Sequence, residues 1–189
     1  MANTTGKKIK DAAIIGGCAS LIYLTIGDIS YRLSLSRGGL NSKLITDMVA
    51  KSAAKKPKDD YKEKLDSMID DGADWFMHQD TEKIIIEKKH RLSLYADLIR
   101  PDKPSNVYII CIHGYTSSPA NMGIYAKKYH ELGYNVLLPS LRGHGDSEQD
   151  FITMGWNDRL DVIEWINYIA ERHPESKIIL HGVSMGAAT

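Results

Sequence analysis

The pattern of apolar and polar positions divides the chain into three textures. Residues 12 to 27, AAIIGGCASLIYLTIG, form an uncharged and mostly apolar run of 16, preceded by Lys7, Lys8 and Lys10 and closed by Asp28. From Gly38 to Trp75 the sequence is polar and helix-prone. There Leu40, Leu44, Ile45, Met48 and Val49 are spaced as one helix face, and a second helix is expected from Asp59 to Asp70 with Tyr61, Leu65, Met68 and Ile69 inward. Residues 53 to 58, AAKKPK, read as a break between them. These helices serve either as a stalk or as a pair packing on the domain or covering its site.

After Trp75 short apolar runs alternate with helical spacing. Lys83 to Lys88 and Leu92 to Ile99 predict two strands joined as a hairpin at Lys89, His90 and Arg91. Val107 to Ile112, VYIICI, is the continuous apolar run of a strand buried on both faces. A helix over Ala120 to Leu132 is stopped by Gly133, and Asn135 to Leu138 follows as another buried strand. Trp156, Leu160, Ile163, Ile166 and Ile169 then repeat at helical spacing up to His173, whose successor Pro174 ends the helix. Lys177 to Leu180 is the last strand. This alternation predicts an α/β fold with a mainly parallel sheet flanked by helices.

The amino-terminal run has the flanks of a signal sequence, yet Asp28-Ile29-Ser30-Tyr31-Arg32-Leu33 offers no small-x-small cleavage site after the apolar core. An uncleaved anchor helix is therefore expected, short of the ~20 residues that span a bilayer but extended by snorkelling of Lys10 and Arg32. Lysines ahead of the run keep that end cytoplasmic and place the rest of the chain outside, as a single-pass protein of the cell membrane. Ile15-Gly16-Gly17-Cys18 loosely resembles a lipidation site, but too few apolar residues precede it. The alternative for the run is a buried helix of the soluble domain. The organisation expected is residues 1–30 as lysines and anchor, 31–75 as helical stalk or linker, and 76–189 as the α/β domain.

Composition narrows the function. The 189 residues carry 24 Lys+Arg against 24 Asp+Glu, which argues against a nucleic-acid partner, because a phosphate-tracking surface shows as a basic excess. The two cysteines, Cys18 and Cys111, lie in unlike contexts, so neither a disulfide framework nor a cysteine-based metal site is expected. The histidines show no paired ligand spacing, and Gly143-His144-Gly145 lacks the GxGxxG pattern, so no metal or nucleotide cofactor is called for.

The chemistry sits at three turns, each following an apolar strand. The last strand runs into His181-Gly182-Val183-Ser184-Met185-Gly186, a Gly-x-Ser-x-Gly that opens into small helix-favouring residues, as a nucleophile elbow must. Upstream, the strand ending at Ile112 leads into His113-Gly114-Tyr115-Thr116, and the one ending at Leu138 leads to Arg142-Gly143-His144-Gly145-Asp146-Ser147. The three turns converge on the carboxyl edge of the sheet, where open α/β sheets place their sites.

With these motifs the chain resembles the α/β-hydrolase superfamily over about residues 75 to 189. The phrases VLLPSLRGHGDSE, ITMGWNDRLDVIEWI and LHGVSMGAAT are similar to the membrane-anchored bacterial hydrolases of the Bem46/YqkD type, related to serine aminopeptidase (S33) domains. The resemblance implies Ser184 as nucleophile and the backbone N–H groups of Met185 and Tyr115 as oxyanion-hole donors. It implies an ester, amide or thioester as substrate, and a mainly structural Arg142-to-Ser147 turn, with Ser140 where the family commonly has an Asp. Hydrolases of this fold order their triad as Ser, then Asp or Glu, then His. His113, His144 and His181 therefore read as turn or supporting residues, and Asp158 and Asp161 as helix surface or cap residues. No acid or histidine follows Ser184, so the triad acid and base are absent from these 189 residues. The resemblance thus implies an amino-terminal fragment with negligible turnover and an exposed apolar edge at Lys177 to Leu180. Two other readings stay open: a non-catalytic membrane-tethered binding module, and an acyltransferase.

Overall fold

The computed structural model describes residues 2–36, 60–88, 92–147 and 149–189. The helix face from Leu40 to Val49, the break at 53–58 and the hairpin residues Lys89, His90 and Arg91 lie outside them. Five strands form one sheet: β1 (Glu82–Lys88), β2 (Leu92–Ile99), β3 (Val107–Ile112), β4 (Asn135–Ser140) and β5 (Lys177–Gly182), in the order β1-β2-β4-β3-β5. The helices are α1 (Ala2–Leu35), α2 (Asp60–Met77), α3 (Gly123–Glu131, led by a 3-10 turn over Pro119–Met122), α4 (Asp158–Arg172) and α5 (Met185–Ala188).

The sheet is mixed rather than mainly parallel. β1 and β2 form the expected hairpin, with Glu82 opposite Leu98 and Lys88 opposite Leu92. β2 then lies antiparallel to β4, while β3 is parallel to both β4 and β5. The link from β2 to β3, residues 100–106, is shorter than the dozen or so residues of a parallel crossover, so β3 must run against β2. From β3 the chain moves to β4 on one side and then back across to β5 on the other. That reversal makes β3 the switch point, where an open sheet forms its crevice.

Burial follows from the strand period of two. On β3, Tyr108, Ile110 and Ile112 join Leu137, Val162, Trp165 and Ile169 in the core beneath α4. Ile109 and Cys111 point the other way, into a core with Val136, Leu138, Met122, Ala126 and Phe76 beneath α2 and α3. β5 closes one side of the sheet with Ile179 and Leu180 about half exposed, the apolar edge the sequence leads one to expect.

Two helices differ from expectation. α2 runs to Met77, and Tyr61, Leu65 and Met68 are exposed where they were expected inward. Its contact lies further along, at Gly72 and Phe76. A Cβ on Gly72 would meet Ile124 Cα at 2.6 Å, and one on Gly123 would meet the Gly72 carbonyl carbon at 2.6 Å, so α2 and α3 cross backbone to backbone through two glycines. The small residues, not the large apolar ones, set that crossing.

α1 is a single helix of 34 residues that carries residues 12–27 onward through Arg32. Among the described residues no helix is long and apolar enough to cross a membrane. The side chains of residues 2–15, 18 and 19 lie outside the described set.

Candidate active site

β5 delivers Gly182 to the carboxyl edge, where Val183 N–H donates to Ile112 O at 3.1 Å and ties the turn to β3. The next residue, Ser184, has φ 54° and ψ −118°, a conformation that only surrounding structure can hold in a non-glycine residue. α5 begins at once with Met185, and Ala187 and Ala188 N–H groups return to Ser184 O at 3.0 and 3.2 Å. Both flanking glycines are sterically required. A Cβ on Gly182 would lie 2.6 Å from Ala187 Cα, and one on Gly186 would overlap Ile112 O and lie 2.5 Å from His113 O. The result is a serine lifted from the sheet edge with its side chain exposed.

The turn after β3 packs directly against it. A Cβ on Gly114 would meet Val183 O at 3.1 Å, Ser184 Cβ at 3.3 Å and Ser184 Oγ at 3.9 Å, so the absent side chain leaves the space over the hydroxyl. Met185 N–H is an unpaired donor by construction, as the first amide of a helix. Tyr115 N–H follows the Gly114 that touches Ser184.

Two buried imidazoles hold this turn. Leu141 N–H donates to His113 Nε2 at 3.1 Å, which puts the proton on Nδ1, and Nδ1–H donates to Gly114 O at 2.8 Å. His144 repeats the scheme, accepting Thr116 N–H at Nε2 (3.1 Å) and donating from Nδ1 to Arg142 O (2.9 Å). The rings meet edge to face at 4.9 Å. Burial pushes His113 down to about 4 and lowers His144, so both stay neutral at pH 7. With each ring nitrogen engaged, neither is free to act as a base. His181 bonds through Nδ1 to Tyr129 Oη at 2.8 Å and packs on Tyr125, on the α3 side of the sheet. Among the described residues no histidine hydrogen-bonds Ser184.

The loop after β4 is anchored by Asp158 and Asp161, the two aspartates expected as helix surface or cap residues. Asp158 is 0% and Asp161 4% exposed. Asp158 accepts from Arg142 N–H (3.2 Å), Thr153 Oγ1–H (2.6 Å) and Gly155 N–H (2.9 Å). Asp161 takes the Arg142 guanidinium at both oxygens, 2.5 and 2.8 Å, and this pairing raises the Arg142 pKa. The inward face of α4 is thus Asp158, Asp161, Val162, Trp165 and Ile169, while Trp156, Leu160 and Ile163 are exposed. The signal was present as helical spacing of 158, 161, 162, 165 and 169. It was masked because a carboxylate on an inward face looks wrong until its arginine is known. Ser140 is buried under Gly145, whose Cβ would come within 3.0 Å of Ser140 Oγ.

Cys111 is buried and its thiol is pushed up to about 12 by burial, which leaves it un-ionised and inert. Among the described residues no group of three His, Cys, Asp or Glu is placed to hold a metal ion. An open cavity of about 700 Å³ lies at the amino ends of β3 and β5, between Asn106, Tyr108, His173 and Glu175, at the opposite end of the sheet from Ser184.

The part of the chain that carries these turns is similar to known proteins. Residues 103–189 match the family described as serine aminopeptidase, S33. Over 85 residues the chain is 32% identical to a thermostable monoacylglycerol lipase of Bacillus sp. (strain H-257), a match covering 42% of this chain and 32% of that protein. Over 115 residues it is 27% identical to the uncharacterized protein YqkD of Bacillus subtilis (strain 168), covering 60% of this chain and 37% of that one. The matches thus span about a third of the length of each relative. Among solved structures, a Pyrococcus furiosus esterase superposes with a TM-score of 0.53 at 30% identity, over 60% of this chain and 44% of its own. The fold is α/β-hydrolase-like, a mixed sheet flanked by helices.

Proposed function

We propose that this protein is a serine hydrolase that acts on an ester, amide or thioester through an acyl-enzyme on Ser184. The observation that carries the reading is the Ser184 backbone at φ 54°, ψ −118°, wedged between two glycines that admit no Cβ and facing the Gly114 turn. In this mechanism Ser184 Oγ attacks the acyl carbon as a base takes its proton. The bond to the leaving group breaks, and that group departs with the proton; water then repeats the sequence in reverse and frees the acid. Met185 and Tyr115 N–H groups stabilise the oxyanion of each tetrahedral intermediate, with Tyr115 held by the His113 and His144 hydrogen bonds.

The triad acid and histidine belong, in this proposal, to a part of the protein beyond these 189 residues, as expected of matches that span about a third of each relative. The 189-residue chain alone then turns over esters negligibly. Residues 12–27 hold the protein at the cell membrane, with the hydrolase part outside the cytoplasm. In support, Leu21, Ile22, Tyr23 and Leu24 are all exposed, and four consecutive positions at 100° steps cover every side of the helix.

A fluorophosphonate probe applied to the full-length gene product tests the nucleophile. Labelling at Ser184 is expected, and folded protein that does not label would sink the assignment. Robust esterase activity from monodisperse 189-residue chain, lost in Ser184→Ala, would contradict the account of the missing base.

A further inference from the structure

The carboxyl end of α1 is fastened to the turn beside Ser184 and to the loop that follows β4. Tyr115 Oη–H donates to Ser34 O, and Ile152 N–H donates to Leu35 O at 2.7 Å. Ser36 makes a β-bridge with Phe151, and the Tyr31 ring lies 5.5 Å from that of Phe151. Tyr115 is the residue whose amide is assigned to the oxyanion hole, and Phe151 and Ile152 belong to the loop pinned by Arg142 and Asp158. Ile26, Ile29 and Leu33 continue the exposed apolar surface as one stripe up to these contacts, beside the exposed Asp28–Arg32 pair. Leu33 is one residue from Ser34, so the apolar surface ends within about one helical turn, roughly 5 Å, of the atoms touching the site.

Over Leu21 to Leu24 the exposed apolar side chains face every side of the helix, more than a protein groove, which takes one face, can cover. A lipid bilayer covers every face. Arg32, paired with Asp28 at 2.8 Å, marks the polar boundary at this end.

We infer that α1 seats the mouth of the Ser184 site on the surface of a lipid bilayer, so that the substrate is an ester or thioester of a long acyl chain drawn from the lipid. The inference rests on the proposed nucleophile and anchor. It adds that the helix is a positioning element for the site as well as a tether. An acyl chain leaving the bilayer beside Tyr115 reaches Ser184 Oγ without crossing bulk water, whereas a short water-soluble ester gains nothing from the arrangement.

Fluorescence quenching tests the placement. In a Cys18→Ser background, single NBD labels are placed at Tyr23→Cys in the apolar helix, at Thr116→Cys beside the oxyanion turn and at Glu175→Cys on the opposite end of the sheet. The 189-residue chain is reconstituted in phosphatidylcholine and phosphatidylglycerol vesicles containing nitroxide lipids. The label at 23 should be quenched by deep nitroxides, and the label at 116 should be quenched by headgroup nitroxides several-fold more than the label at 175. If 116 is quenched no more than 175, or if 23 is not quenched at all, the inference is overturned. In the full-length gene product, Tyr31→Ala, which removes the helix's ring contact with Phe151, should lower turnover of a vesicle-borne long-chain ester several-fold and leave a soluble short-chain ester unchanged. Equal effects on both substrates, or none, would likewise overturn it. Absence of fluorophosphonate labelling with the quenching pattern intact would instead strike at the nucleophile assignment.

Discussion

Substituting Gly186 by alanine separates a steric requirement at the elbow from the general cost of losing a glycine. A Cβ there would overlap Ile112 O and approach His113 O to 2.5 Å. Both atoms are main chain at the end of β3, which is hydrogen-bonded on both sides by β4 and β5. They cannot swing aside as a flexible side chain would, so the elbow must move by about 1 Å to restore ordinary contact, which places the cost at the upper end of overpacking, about 3 kcal/mol. Gly133 is the control. It has φ 81° but nothing within 4 Å of its Cβ, so alanine there meets only the left-handed backbone penalty, about 1 kcal/mol. The ~2 kcal/mol difference corresponds to roughly a 1 M gap in urea midpoint for an m-value near 2 kcal/mol/M. Urea unfolding of the two variants, followed by far-UV circular dichroism, reads it directly. Coincident midpoints would refute the close contact between elbow and β3.

Three further outcomes follow from the groups around the site. Asp161→Asn leaves the Arg142 guanidinium buried without its carboxylate and should cost about 3–5 kcal/mol in urea unfolding; a loss under 1 kcal/mol would mean the pair is solvated. His113 is pushed to about 4 in the fold against an ordinary 6.5, so the unfolded chain binds the proton first; its contribution, roughly 3 kcal/mol, is complete above pH 6.5 and is lost as pH falls toward 4. Urea midpoints at pH 7.5 and 4.5 should therefore differ more in the native protein than in His113→Asn. His144→Phe removes the acceptor of Thr116 N–H and loosens the oxyanion turn, so fluorophosphonate labelling of the full-length product should slow roughly tenfold, less than the 10²–10³ of losing a donor outright; an unchanged rate would remove His144 from the positioning of that turn.

Where an element's pattern answers only to its own burial, it was readable from sequence. β2 and β3 begin and end at the residues the apolar runs mark, and the elbow could be placed because Gly-x-Ser-x-Gly follows a strand directly. Legibility failed where a second segment decided the outcome. The direction of β3 against β2 depends on the short link between them rather than on either strand's composition. The inward face of α4 is set by Arg142, sixteen or more positions upstream, which claims Asp158 and Asp161 for the interior and turns Leu160 and Ile163 outward. α2 docks through Gly72 because the partner position, Gly123, is also bare, a complementarity no single-segment periodicity contains. The contacts of Ser34 and Leu35 with Tyr115 and Ile152 were hidden for the same reason, since they join residues about eighty or more positions apart.

Ser184, as proposed, is a nucleophile held ready at the elbow. The most direct measurement is mass-spectrometric mapping of the fluorophosphonate adduct on the full-length gene product, beside its Ser184→Ala variant. A single adduct on the peptide containing Ser184 is expected in the native protein and none in the variant. An adduct that persists in Ser184→Ala, or a folded native protein that takes up no probe, would contradict it.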